Sequence, residues 1–213
     1  VVATNAPDVL TETTADLGFA LMMATARRMA ESEHFLRAGL WTKWSYDMFA
    51  GSDIHGATLG ILGMGRIGQA IARRAAAFDM SIAYTSRNQA QGVNYTYFTS
   101  AKELAANVDY LVVITPGGAA TKHLVNAEVL AALGSKGYLI NVARGAHLAE
   151  PDLLADIPCQ VHRTVSRSFS ILSQTPDTTC SDVLEGYLKA ISAAEKFIYI
   201  ENQYFIGASP ANN

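Results

Sequence analysis

The sequence predicts an α/β protein built on a parallel sheet with helices on both faces. The sheet is expected to be incomplete on its C-terminal side and to be followed by a shorter α/β tail. Three observations carry that expectation. Between residues 58 and 157, short apolar runs alternate with helical patterns, the order that yields parallel strands joined by crossover helices. A glycine triplet, Gly63, Gly65 and Gly68, sits at the first strand-to-helix junction, in the stretch LGILGMGRIGQAIARRAAAF. After Pro158 the composition changes character, so residues 1–157 are expected to form one unit and 158–213 another.

Taken in order, Pro7 and Asp8 open a helix that runs to about Arg28 and carries Leu17, Leu21 and Ala24 at helical spacing. Proline suits the first turn because its missing N–H would have no helical acceptor there. A second helical stretch reaches about Leu40, and residues 41–57, with Trp41 and Trp44, have no regular period. Strands are expected near 58–62, 81–85, 110–114 and 138–142, and helices near 66–78, 100–106, 126–133 and 150–156. In the tail, 160–167 has strand character and 168–180 is Ser/Thr-rich. Residues 181–195 form a helical pattern capped by Ser181 or Asp182, and FIYIENQYFI, 197–206, begins as a strand of strong β-formers. This strand, helix, strand order leads us to expect the tail to dock beside strand 138–142, since an uncovered parallel edge invites aggregation. A separately packed appendage is the alternative.

Bulk properties narrow the function classes. Half of the 213 residues are hydrophobic and 16% are charged, as in an ordinary globular protein with a substantial core. The net charge of −3 argues against a nucleic-acid partner. The near-apolar run Ala15 to Ala26 contains Asp16 and is too short to cross a bilayer. Asp8 and Glu12 ahead of it have the wrong sign for a signal peptide, so no membrane partner is expected. Cys159 and Cys180 are the only cysteines. Two thiols make neither a disulfide framework nor a metal site, and a reducing cytoplasm suits them. The chain begins with Val1, and we expect a fragment or a processed product.

The glycine spacing carries the first chemistry. G-x-G-x-x-G is weak evidence alone, but here it follows an expected strand and opens an expected helix. In a Rossmann-like sheet, Gly63 permits the tight turn, Gly65 lets the backbone approach a diphosphate, and Gly68 lets helix pack on strand. The N–H groups around Arg66 and Ile67 would face the phosphates. A carboxylate for the ribose hydroxyls is expected about 20 residues beyond this turn, yet no Asp or Glu lies between Asp79 and Glu103. Ser86 and Arg87 stand there instead. A guanidinium holds a 2′-phosphate through paired, charge-assisted bonds, so NADPH (NADP) is the expected cofactor in preference to NADH.

Residues 1–157 resemble the D-2-hydroxyacid dehydrogenase family, and within it the glyoxylate/hydroxypyruvate reductase branch. The resemblance rests on NAPDVLTETTADLGFALMMATARR, LGILGMGRIGQAIARR, VDYLVVITPGGAATKHLV and GYLINVARGAHLAEPDLL, occurring in the family's order. It implies reduction of a small 2-oxo acid to a D-2-hydroxy acid. It matches Gly63, Gly65, Gly68, Arg66 and Ile67 to the cofactor turn, and Pro116 to the place where the chain passes the cofactor. Arg144 in NVARG matches the arginine that orients the substrate and stabilises the oxyanion formed on hydride transfer. It also implies a homodimer through the helices of residues 8–40.

The family's general acid is a histidine held by a carboxylate, in T-P-H-like and D-V-F-x-x-E-P-like segments, and neither occurs here. His147 and His162 match neither motif. The family's substrate domain is mostly encoded before the point where this chain starts. An impaired reductase and an inactive dinucleotide-binding module therefore both stand open.

Residues 159–206 resemble a stretch of the phospholipase D superfamily, most specifically in YLKAISAAEKFIYIENQYFI. That family attacks phosphodiesters with H-x-K-x4-D motifs, and no H-x-K occurs in the chain. The whole therefore reads as a chimera joined near 157–158, with a phospholipase D-related fragment carrying a dehydrogenase piece as the remaining alternative.

Overall fold

The structure, a computed structural model, describes residues 8–149 and 160–162. Helices α1 (Thr11–Ala26) and α2 (Met29–Arg37) lead into an alternating series. The series runs β1 (Thr58–Leu62), α3 (Arg66–Ala76), β2 (Ser81–Thr85), β3 (Thr96–Tyr97), α4 (Ala101–Ala105), β4 (Tyr110–Val113), α5 (Ala127–Leu133) and β5 (Tyr138–Asn141). Strand β6 (Gln160–His162) closes it. The six strands are ordered β3-β2-β1-β4-β5-β6, and every pairing is parallel.

Strand alternation explains why both faces are covered. Leu59 and Ile61, Ile82 and Tyr84, Tyr110 and Val112, and Tyr138 and Ile140 point to one face, where they meet Ala15, Phe19 and Met22 of α1 and Ala70, Ile71 and Ala75 of α3. The residues between them, Ala83, Leu111, Val113 and Leu139, point to the other face and meet Leu104 of α4 and Val129, Leu130 and Leu133 of α5. Strands β4 and β5 are buried along their whole length, as parallel strands sandwiched between helices must be. Ser100 caps α4 by accepting from the Glu103 N–H (3.1 Å), and Asn126 caps α5 by accepting from the Val129 N–H (3.1 Å), satisfying N–H groups that have no helical partner.

The strands expected near 58–62, 81–85, 110–114 and 138–142 fall where the pattern placed them, within a residue at their ends. Two details differ. The first helix starts at Thr11, because Asp8 takes a positive φ of 69° and residues 8–10 form a turn. Its core face is Ala15, Gly18, Phe19, Met22 and Ala26 rather than Leu17, Leu21 and Ala24, which are only half-buried. This face buries the large Phe19 and Met22 against α3 and the sheet, with Gly18 at the point where α1 comes close to α3 and the end of β5. A Cβ on Gly18 would be 3.4 Å from Ile71 and 3.5 Å from Val142. The two-residue strand β3 was not expected.

The pairing expected between the tail and strand 138–142 is present over residues 160–162. Tyr138, Leu139 and Ile140 lie opposite Gln160, Val161 and His162, so the sheet crosses position 157–158. Residues 163–167 and the elements expected at 150–156, 181–195 and 197–201 lie outside the described residues. No helix among the described residues is long and apolar enough to cross a membrane.

At the amino ends of β4 and β5, Tyr110 and Tyr138 stack with ring centroids 4.8 Å apart. The Tyr110 hydroxyl donates to the Asp53 carbonyl (3.1 Å), and the Tyr138 hydroxyl bonds Ser52 (2.7 Å). These bonds hold the 50–57 segment under the sheet. Burial, reinforced by Tyr138, Asp109 and Asp53, pushes the Tyr110 phenol well above the usual tyrosine range. The folded state therefore keeps this proton at pH values where the unfolded chain has lost it. That contribution is fully present below the unfolded value of about 10 and is lost as pH rises from there towards the folded value. We expect thermal melts in a series from neutral to about pH 11 to show falling stability at the alkaline end. Tyr110→Phe should flatten that fall relative to the parent; an unchanged slope would contradict the assignment.

Candidate functional site

The site is set by where the strand order reverses. Strand β1 is followed by β2 on one side and flanked by β4 on the other, and in such sheets the crevice outside the carboxyl ends at the reversal is the place for a ligand. Four loops emerge at that edge. They are Gly63–Gly65 after β1, Ser86-Arg87 after β2, Thr115-Pro116 after β4 and Arg144 after β5. Every residue singled out in the sequence thus falls on one rim or, for Gly68, in the helix that starts from it.

The glycine turn has the geometry its spacing implies. Gly63 has φ of 110°, a conformation that side-chain-bearing residues avoid, and its N–H donates to the Thr85 carbonyl (2.9 Å). A Cβ on Gly68 would lie 2.1 Å from the Gly63 carbonyl oxygen, so α3 reaches β1 at backbone contact distance. A Cβ on Gly65 would meet no atom within 4 Å. The backbone there faces open space. Helix α3 has no side-chain cap at Gly65, and its first internal bond is Gln69 N–H to Gly65 carbonyl (2.9 Å). The N–H groups of Arg66 and Ile67 are therefore without helical acceptors, and an anion fits that opening. The Arg66 side chain is turned away, donating to Asp8 (2.6 Å).

Ser86 is half-buried and donates to the Asn88 carbonyl (2.6 Å), while Arg87 is exposed. The Arg87 guanidinium has no bond or ion pair among the described residues. On the other side of the turn, Thr115 packs against Gly63. Its Oγ1 is buried without a hydrogen-bond partner among the described residues, a costly condition that a polar ligand atom would relieve. The Pro116 carbonyl accepts from the Thr121 hydroxyl (2.8 Å) and lies 3.2 Å from His147 Nε2. A Cβ on Gly117 would be 3.5 Å from Arg144 Cγ, so the loops after β4 and β5 touch.

Arg144 is half-buried and held by its own backbone. Asn141 donates from Nδ2 to the Arg144 carbonyl (3.0 Å), and His147 Nδ1 faces the Arg144 N–H (3.1 Å). Asn141 and His147 are two of the three buried polar side chains described, and both bond the Arg144 backbone, Asn141 also accepting from the Ala143 N–H (3.0 Å). Sequence reasoning set His147 aside and did not single out Thr115. The signal for both was position, one residue before Pro116 and three after Arg144.

The comparisons agree with this geometry. The profile of the family described as "D-isomer specific 2-hydroxyacid dehydrogenase, NAD binding domain" matches residues 19–161. A hydroxyphenylpyruvate reductase of Plectranthus scutellarioides is 46% identical over 152 residues, 71% of this chain and 48% of that protein. A glyoxylate/hydroxypyruvate reductase of Arabidopsis thaliana is 44% identical over 71% of this chain and 48% of its own length. Among solved structures, the NADPH-dependent glyoxylate/hydroxypyruvate reductase of Sinorhizobium meliloti, in complex with NADP and malonate, is 43% identical with a TM-score of 0.67. That match covers 76% of this chain and 51% of the other. The chain thus spans about half the length of the relatives it matches.

The two turn glycines separate packing from ligand space. Gly68→Val should lower folding stability by about 2 kcal/mol or more, because the clash is with backbone. Gly65→Val should stay within about 0.5 kcal/mol of the parent, because its Cβ enters open space. Urea titrations of the two variants check this; equal losses would contradict the geometry.

Proposed function

The chain belongs to the D-isomer specific 2-hydroxyacid dehydrogenase family through its NAD-binding domain, and on that premise we propose that it binds NADPH along the carboxyl edge of its sheet and serves reduction of a small 2-oxo acid to a D-2-hydroxy acid. The observation that carries the reading is the rim itself, on which the glycine turn, Arg87, Pro116 and Arg144 share one edge of four adjacent strands.

The roles follow from the chemistry of each group. The Arg66 and Ile67 N–H groups meet the diphosphate, and Gly65 leaves room for it. Arg87, exposed at the end of β2 where an NAD site has a carboxylate, pairs with the 2′-phosphate, with Ser86 beside it. The Pro116 loop lies along the cofactor. Bound NADPH supplies the hydride. Arg144 orients the 2-oxo acid by its carboxylate and stabilises the charge that develops on the carbonyl oxygen. The resemblance gives proton delivery to a histidine and carboxylate in motifs that this sequence lacks, so we propose binding with impaired turnover for the chain as it stands.

The reading extends to organisation. The division at 157–158 stands as part of the proposal. The phospholipase D resemblance of 159–206 brings no phosphodiesterase activity into it, since the chain has no H-x-K. A cytoplasmic setting suits the two cysteines. A homodimer through residues 8–40 suits the apolar side chains that α2 and the segment after it leave exposed. Met29, Leu36, Leu40, Trp41 and Trp44 are among them, Trp44 at 73%.

Fluorescence titration should give tighter binding of NADPH than NADH. Arg87→Asp should remove the preference, a change of about tenfold or more, and Gly65→Val should abolish binding of both. A parent protein that binds neither cofactor would overturn the reading, and an unaltered preference in Arg87→Asp would remove Arg87 from it. In sedimentation, Leu36→Lys should shift a dimer to monomer; identical profiles would exclude this surface.

A further inference from the structure

His147 is a buried imidazole that the proposed reaction does not use. It closes the single 3₁₀ turn after Arg144, is only 1% exposed, and touches two different loops of the rim. Its Nδ1 lies 3.1 Å from the Arg144 nitrogen, and its Nε2 lies 3.2 Å from the Pro116 carbonyl oxygen.

Donor and acceptor accounting fixes how the ring is used. The Pro116 oxygen is an acceptor only, so Nε2 carries the hydrogen and donates to it. Nδ1 is then the acceptor for the Arg144 N–H. Nδ1 also approaches the Arg144 carbonyl oxygen (2.9 Å). That oxygen already receives the Asn141 amide (3.0 Å) and the His147 N–H (3.1 Å), so it needs no hydrogen from the ring. The neutral Nε2–H form therefore satisfies every group. A leucine of similar bulk would fill the space, leave the Arg144 N–H unpaired and remove the ring's bond to the Pro116 carbonyl.

We propose that His147 is a positioning residue that ties the Arg144 loop to the Pro116 loop, so that a 2-oxo acid anion and the dinucleotide each bind more tightly when the other is present. This rests on the proposed function for the identity of the two ligands. Backbone bonds already join residues 123–125 to 146–149; the ring adds the direct link between the Arg144 N–H and the Pro116 carbonyl at the rim, so ordering either end orders the other and the second ligand meets a site already set.

Two substitutions separate the two bonds. Asparagine places its Oδ1 near the position of Nδ1 and has nothing at Nε2, whereas glutamine places its Nε2 donor near the imidazole Nε2 and has nothing at Nδ1. The parent protein should bind oxamate, a 2-oxo acid mimic, about fivefold or more tightly with NADPH present than without. His147→Asn should keep the oxamate affinity of the free protein and lose the coupling. His147→Gln should weaken oxamate by about tenfold and leave NADPH affinity near the parent value. Hydrogen exchange gives a ligand-free readout, in which Arg144 N–H protection is retained in His147→Asn and lost in His147→Gln. His147→Leu should lose both.

Absence of coupling in the parent, coupling unchanged in the variants, or an equal weakening of both ligands with lowered melting temperature would overturn the proposal. The last is what a merely structural role predicts. If the parent binds no NADPH, the proposed function falls while exchange at Arg144 alone decides the tie.

Discussion

The approach of α3 to β1 is the constraint from which the rest of the structure follows. With a Cβ on Gly68 only 2.1 Å from the Gly63 carbonyl oxygen, no side chain can stand between helix and strand. The helix begins right at the edge of the sheet, and its free N–H groups open over the carboxyl end of β1 instead of over a layer of packed side chains. The same closeness brings Ile71 and Ala75 onto the sheet and sets the height at which α1 lies across α3. The ligand crevice and the core on that face are thus consequences of one contact between two backbones.

Around this contact, charged and apolar groups divide the work. Asp8, in the turn before α1, and Glu12 and Asp16, in its first turns, face Arg66, Arg73 and Arg74 of α3. The pairs include Arg66–Asp8 at 2.6 Å and Arg73–Glu12 at 2.8 Å, with Arg74 bridging Glu12 and Asp16. Most of these side chains are exposed, and exposed pairs contribute little to stability. They fix the side on which α1 lies, while Phe19 against Phe78, with centroids 5.0 Å apart, and the burial of Met22 hold it there. Buried polar groups are confined to few places, and two of them, Asn141 and His147, meet at the Arg144 backbone. Desolvating an amide and an imidazole is costly unless both are bonded, and here both are bonded to the loop that presents the arginine.

Much of the fold was legible because strand and helix periods are local. The runs at 58–62 and 81–85 become β1 and β2 without adjustment, and the helical patterns near 100–106 and 126–133 become α4 and α5. The core face of α1 was not legible, since helical spacing offers Leu17, Leu21 and Ala24 as readily as Ala15, Phe19 and Met22, and only the positions of α3 and β5 select the second set. Strand β3 escaped because two residues give no alternation to detect. Of the candidate site, the glycine turn and Arg87 were visible as residue types at a spacing, and Pro116 and Arg144 through the family resemblance. His147 and Thr115 were not, because their significance lies in what a different loop places beside them.

By itself, then, the sequence determined the alternation of elements, the place of the glycine turn and the absence of a carboxylate at the end of β2, because each depends on residues adjacent along the chain. Tertiary structure alone decided that four loops from four strands share one rim, that β6 pairs with β5 across position 157–158, and that one imidazole spans two of those loops. Pairing register and loop contact are set by the packing of helices on both faces of the sheet, a property of the assembled layers that no single segment encodes.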